Sequence, residues 1–378
     1  MTPDQAQKLI HDLLKSMVQE HASDLLITAG FPPAFRMDGK LTPVSRQSLS
    51  AAHTSELVRA VMNDKQAVEF ERTRECNFAI NPPGLGRFRV NAFVQQQRTG
   101  MVVRTITTEI PRLDDLGLPE ILKEMVMSKR GLLIVVGATG SGKSTTLAAM
   151  IGHRNANSHG HIITLEDPIE FVHEHGKCAV TQREVGVDTE SWEVGLRNTL
   201  RQAPDVILIG EVRERDTMEH AIAFAETGHL CLCTLHANSA NQALDRIINF
   251  FPEERRAQLL MDLSLNLRGV ISQRLIPRKA ATGRVAAIEI LLNTPLVADL
   301  IFKGQVHEIK EAMKKSRPLG MCTFDQALFE LYDNGSISYE DALRNADSMN
   351  ELRLSIKLHS RQSTGGDIMS GLDHLGIV

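Results

Sequence analysis

No apolar run in this 378-residue chain reaches transmembrane length, and the N-terminus opens on a polar amphipathic pattern in place of a signal peptide. Those absences predict a cytoplasmic protein with no transmembrane segment, and they leave peripheral membrane docking open. Cysteine is scarce and odd in number, at 76, 178, 231, 233 and 322, which argues for reduced thiols over a disulfide framework. Cys231-Leu-Cys233 is the one close pair, and no second pair lies nearby to complete a zinc site; the two read as small buried apolar residues of a strand. An excess of either charge is missing too. The 42 Lys plus Arg against 46 Asp plus Glu leave a net charge of -4, so no global field recruits DNA, RNA or an anionic membrane. Without a stripe of basic and aromatic residues, a nucleic-acid motor is disfavoured. Internal repeats and low-complexity blocks are absent.

What is present is enough apolar residue, 42%, to build two or three separate cores. Leu9, Ile10, Leu13, Leu14, Met17 and Val18 recur at helical spacing and predict a first helix over 4–20. Strands follow at 24–28 and at 34–37, the second entering a hairpin at Asp38-Gly39, and helical patterns run to about Arg72. Segments 76–80, 87–93 and 101–106 read as antiparallel strands joined by turns at Pro82–Gly86 and Arg98–Gly100. The stretch Pro111–Pro119 carries no period and reads as a linker. Beyond it, short apolar runs at 131–136, 161–165, 205–209 and 229–234 alternate with helical patterns, which predicts an α/β domain with a largely parallel, doubly wound sheet. In such a sheet functional groups gather at the strand C-termini. After 295 the pattern is helical, with Phe324, Ala327, Leu328 and Leu331 on one face, and the tail from Ser360 reads as mobile.

The first of the apolar runs leads into Gly137-Ala138-Thr139-Gly140-Ser141-Gly142-Lys143-Ser144-Thr145, which fits G-x-x-x-x-G-K-[ST] and opens a helical pattern. Strand, loop and helix stand in the order a phosphate-binding loop requires. Glycines at 137, 140 and 142 let backbone N–H groups converge on phosphate oxygens, and the helix N-terminus adds its dipole. Lys143 is expected to reach the β- and γ-phosphates of ATP, and the Ser144 hydroxyl to bind Mg²⁺.

Phosphoryl transfer also needs carboxylates, one for the metal and one to orient the attacking water. Val206–Ile209 followed by Gly210-Glu211 has the form of a Walker B strand with glycine where many such enzymes place Asp. Glu166, Asp167 and Glu170 form a second acidic set after 161–165. Either Glu211 or Glu166 could orient water, and either could equally be a helix cap. His229 and His236 bracket a strand; an imidazole there either senses the γ-phosphate or fills a structural role. Arg87, Arg89 and Arg104 lie on strands of the first domain, with Arg87 and Arg89 on one face. They are either a solvated surface or cationic clamps on nucleotide phosphate.

Taken together with Ala22-Ser-Asp24, Gly30-x-Pro32-Pro33, Arg87-Phe-Arg-Val-Asn91, Leu165–Glu170 and Thr234-Leu-His236, these motifs resemble the twitching-motility ATPases, the pilus-retraction motors of the secretion ATPase superfamily, over residues 5–350. The resemblance implies a PAS-like N-terminal domain over 1–105, a linker over 106–118, a RecA-like P-loop core over 119–295, a helical C-terminal region over 296–359 and a tail over 360–378. It further implies a ring of six subunits hydrolysing Mg-ATP to drive type IV pilus retraction from the cytoplasmic face of the inner membrane, against an inner-membrane pilus platform protein. It maps the family's acidic box onto Glu166, Asp167 and Glu170, its Walker B onto Gly210 and Glu211, and its His box onto His229 and His236. Segment 276–283 lacks the paired cysteines of the assembly ATPases, which favours retraction. Leu296-Val-Ala-Asp-Leu-Ile-Phe-Lys303 departs from the Ala-Ile-Arg-Asn-Leu-Ile-Arg-Glu typical of retraction motors. That departure and the long tail look like the PilU-type branch, whose members assist a principal retraction ATPase. A nucleotide-gated accessory subunit with little hydrolysis of its own is the alternative.

Overall fold

The computed structural model describes residues 1–37, 40–106, 109–280 and 283–361. The Asp38-Gly39 hairpin, residues 281–282 of the cysteine-free segment and the tail beyond Arg361 lie outside the described residues. The chain forms two compact units: Met1–Ile110 with Ile169–Val172 and Gly186–Glu190, and then Pro111–Pro168, His173–Val185 and everything from Ser191 onward.

The first unit opens on the helix Pro3–Gln19. Thr2 caps it by accepting from the Gln5 N–H while the Gln5 side chain accepts from the Thr2 N–H, and the helix buries Ala6, Ile10, Leu14 and Met17 at i+4 and i+3 steps. Six strands follow, β1 (Asp24–Ile27), β2 (Ala34–Met37), β3 (Lys40–Pro43), β4 (Glu75–Ile80), β5 (Phe88–Gln95) and β6 (Arg98–Thr105), in one antiparallel sheet of order β3-β2-β1-β6-β5-β4. The turn expected at Arg98–Gly100 lies elsewhere. Gln95 pairs with Arg98, so Gln96 and Gln97 make the two-residue turn, both at positive φ, and Gly100 sits inside β6 opposite Phe93. Strand alternation then sorts the sheet: Phe78, Val90, Val103 and Leu25 stand in register on the core face, while Arg89, Arg104, Asp24 and Arg36 form a row on the other.

The second unit is built on β7 (Gly131–Val136), β8 (Gly160–Glu166), β9 (Cys178–Glu184), β10 (Val206–Ile209), β11 (Leu230–Leu235), β12 (Leu267–Pro277) and β13 (Arg284–Leu292). They form one sheet of order β13-β12-β7-β11-β10-β8-β9, parallel throughout except for β13. Both faces are covered, which is why its central strands are continuous apolar runs. Leu132, Ile134 and Val136 join one core with Cys231, Cys233 and residues of the helices Arg215–Glu226 and Ala240–Phe250. Leu133 and Val135 join the opposite core with Leu147, Met150 and Ile151 of the helix Lys143–Asn157. Both thiols of the 231/233 pair are fully buried, and burial pushes Cys233 up to about 12, in keeping with small apolar filling. The helices after 295 pack Phe324 and Leu328 into a smaller core. The first residues of the expected mobile tail are fixed: the Ser360 hydroxyl and the Arg361 N–H both donate to Asp333, at 2.9 and 2.7 Å.

Candidate functional site

The phosphate loop runs from the C-terminal end of β7 to the helix Lys143–Asn157, with Gly142 as its N-cap at φ 88°. Glycine is required there for two reasons. A side chain is strained at that φ, and a Cβ would lie 2.6 Å from the Gln273 amide nitrogen. At Gly137 a Cβ would meet the Ser141 hydroxyl at 2.4 Å and the Gln273 carbonyl at 2.6 Å. The loop therefore rests against β12, whose Gln273 is 3% exposed and accepts a hydrogen bond from the Thr146 hydroxyl at 2.8 Å. Nothing local in the sequence marks Gln273, because polar residues interrupt the apolar pattern of β12, the strand that pairs with β7.

Lys143 folds over its own loop, donating from Nζ to the carbonyls of Gly137 at 2.8 Å and Ala138 at 2.9 Å. Burial lowers its pKa and the Glu211 charge raises it, with burial prevailing. Ser144 and residues 138–140 are exposed, Ser141 is buried, and Thr145 is half-buried. The exposed first turn leaves helix N–H groups facing outward, as anion binding requires.

Three parallel strands deliver the other groups to the same edge. From the end of β10, Glu211 accepts from Arg213 at 2.7 Å on one carboxylate oxygen and lies 2.9 Å from His236 Nε2 on the other. Burial pushes the Glu211 carboxyl up, but the Arg213 hydrogen bond and charge, His236 and Lys143 together outweigh it and hold it below its ordinary value. From the end of β11, Thr234 donates its hydroxyl to the Gly210 carbonyl. From the end of β8, Glu166 accepts from the Thr164 hydroxyl at 2.6 Å and the Gln182 amide at 3.2 Å. At Gly210, where many Walker B strands carry Asp, a Cβ would stand 3.1 Å from the Glu166 Cα, so a side chain there would require the end of β8 to give by a few tenths of an ångström.

Not every expected residue joins this edge. His229 precedes β11 while His236 follows it, so the two residues stand at opposite ends of a six-residue strand, their backbones about 23 Å apart at 3.3 Å per residue. His229 instead faces Thr227 and the Phe224 carbonyl, a local cap at the far edge. Asp167 is exposed, and Glu170 is exposed within a segment grouped with the first unit. Arg87, Arg89 and Arg104 belong to the first unit, and there Arg104 is bound to Asp24 at 2.7 Å. Arg213, which sequence reasoning did not single out, is the group that most directly holds Glu211.

The donor set suits the expected ligands. Gly137 and Gly142 form a cradle that any Cβ would fill, ending in helix N–H groups and an ammonium, which is anion chemistry. A hydroxyl at Ser144 and a carboxylate at Glu211 are hard oxygen ligands of the kind Mg²⁺ takes singly, keeping most of its waters. Among the described residues no cluster of three or more His, Cys, Asp or Glu could hold a metal by itself, and no helix is long and apolar enough to cross a membrane.

The family described as type II/IV secretion system protein matches residues 3–322. The chain is 61% identical to the type IV pilus ATPase PilU of Pseudomonas aeruginosa, across 96% of this chain and 93% of that one. It is 44% identical to the type IV pilus retraction ATPase PilT of the same organism, across 89% and 98%. The crystal structure of the pilus retraction motor PilT with bound ADP superposes with a TM-score of 0.85 at 39% identity, covering 91% of this chain and 98% of that chain.

Proposed function

The chain belongs to the type II/IV secretion system protein family, and on that premise we propose that it is a Mg-ATP hydrolysing motor that powers or assists type IV pilus retraction. The observation that carries the reading is the loop 137–144 with Lys143 and Glu211 gathered on one sheet edge. The backbone of 137–144 and Lys143 would bind the phosphates, and Ser144 and Glu211 would hold Mg²⁺, which when bound neutralises charge building on the phosphate oxygens. Glu166 orients the attacking water, and His236 reports the state of the site through Glu211. The fully buried strand β7 and its helix keep the loop rigid, so the charges are pre-positioned before the reaction begins.

In this reading six copies form a ring, peripheral at the cytoplasmic face of the inner membrane, working on an inner-membrane pilus platform protein beside a principal retraction ATPase. The likeness to PilU and to PilT supports that placement. The accessory alternative, with little hydrolysis of its own, is favoured by the higher identity to PilU, 61%, than to PilT, 44%. ATP turnover of the purified protein tests the proposal. Lys143→Ala is expected to abolish hydrolysis, and Glu211→Gln to slow it by 100-fold or more, on the order of the loss of a preorganised charge. Wild-type turnover in Lys143→Ala would refute the site. Turnover that appears only when the principal motor is added would select the accessory reading.

A further inference from the structure

Strand β9 brings one more side chain to the acidic edge. Its Gln182 pairs in register with Thr164 of β8, two residues before Glu166, so all three side chains point to the same face of the sheet. The backbone N–H of His173 donates to Gln182 Oε1 at 2.7 Å. A primary amide whose oxygen accepts must present its NH₂ group on the other side, and that group meets Glu166 Oε1 at 3.2 Å. The Thr164 hydroxyl reaches the same oxygen at 2.6 Å. Two donors from two strands therefore converge on one carboxylate oxygen and fix the plane of the group.

We infer that Gln182 is a positioning residue for hydrolysis, holding the Glu166 carboxylate in the orientation from which it directs water; the inference rests on the reading of Glu166 as the water-orienting group. The amide cannot flip without losing the His173 bond and turning a carbonyl toward a carboxylate. That bond comes from a segment whose side chain is inert. His173 is 9% exposed, and burial lowers its pKa to about 4, so it brings no charge beside the pair near neutral pH. The effect belongs to turnover and not to nucleotide affinity, since neither Gln182 nor His173 belongs to the loop 137–144.

Two substitutions separate positioning from packing. Gln182→Glu keeps the shape and the acceptor for His173 but replaces the donor facing Glu166 with an oxygen, and Gln182→Met keeps volume without polarity. Both are expected to lower kcat for ATP by roughly 10- to 100-fold, the scale of a misplaced catalytic group. KM and the affinity for a fluorescent ADP analogue should stay within about twofold, because the phosphate loop is untouched. A kcat within twofold of wild type in Gln182→Glu, with Glu166→Gln inactive, would overturn the inference alone. An ADP affinity that falls as much as kcat would overturn it as well, by showing a structural role. Full activity in Glu166→Gln would instead remove the reading beneath it, and the inference with it.

Discussion

The contact between Gly142 and Gln273 can be isolated with a matched pair of alanines. Gly140 and Gly142 both lie in the left-handed region, at φ 76° and 88°, but a Cβ at Gly140 meets nothing within 4 Å whereas one at Gly142 lands 2.6 Å from the Gln273 amide nitrogen. Gly140→Ala therefore carries only the backbone strain of a left-handed alanine, about 1–2 kcal/mol. Gly142→Ala carries the same strain and must also move an amide that is 3% exposed and bonded to Thr146. Leaving that buried bond unmade adds about 1–3 kcal/mol. Chemical denaturation of nucleotide-free protein reads both values without interference from a ligand. Gly142→Ala should lower stability by about twice as much as Gly140→Ala or more, and Gln273→Leu in the Gly142→Ala background should recover part of the difference. Equal losses at the two glycines would refute the claim that β12 braces the loop.

Other outcomes follow from the same geometry. Because Glu211 titrates below its ordinary value in the folded protein, it contributes stability that is present above the carboxylate range and is lost as pH falls through its folded pKa. Arg213→Ala removes the main stabilising partner, so it should flatten the pH dependence of the denaturation midpoint as pH falls below the ordinary glutamate value of 4.5; an unchanged slope would contradict the assignment. In the first unit Asp24, itself buried, is held by Arg104 at 2.7 Å and Arg36 at 3.6 Å, both substantially exposed. Solvent screening keeps the loss on Asp24→Asn to about 1 kcal/mol, measurable as a shift in the denaturation midpoint, and a loss several times larger would show that the row is not solvated. Leu133→Ala, in the fully buried β7, should cost about 2–5 kcal/mol by the same measurement, and a loss under about 1 kcal/mol would contradict the two-faced core.

The parts legible in the sequence are those where one local rule decides. The runs 131–136, 206–209 and 230–234 are buried on both sheet faces, so hydrophobicity alone marks them, and the glycine pattern of 137–142 has a single mechanical reading. Strand β9 is illegible because Cys178-Ala-Val-Thr-Gln-Arg-Glu184 is an edge strand whose polar half, Thr181-Gln-Arg183, is only half-buried and carries charge. Strand β12 was missed because Arg268, Ser272, Gln273 and Arg274 interrupt its apolar pattern, and their partners lie far away in sequence: Ser272 and Gln273 are buried, and Gln273 meets Thr146. The hairpin turn was misplaced because Gly100 looks like a turn residue, while Gln96 and Gln97 adopt positive φ without glycine or asparagine. His229 and His236 share the His box only through the family resemblance; the parallel pairing of β7 with β11 puts His236 alone at the strand end that carries the phosphate loop.

Calorimetric titration of the purified chain with a non-hydrolysable ATP analogue and magnesium tests the central claim most directly. One saturable site per chain, lost in Lys143→Ala and retained in Glu211→Gln, is the predicted result. No heat of binding in the wild-type protein, or the same binding in Lys143→Ala, would contradict it.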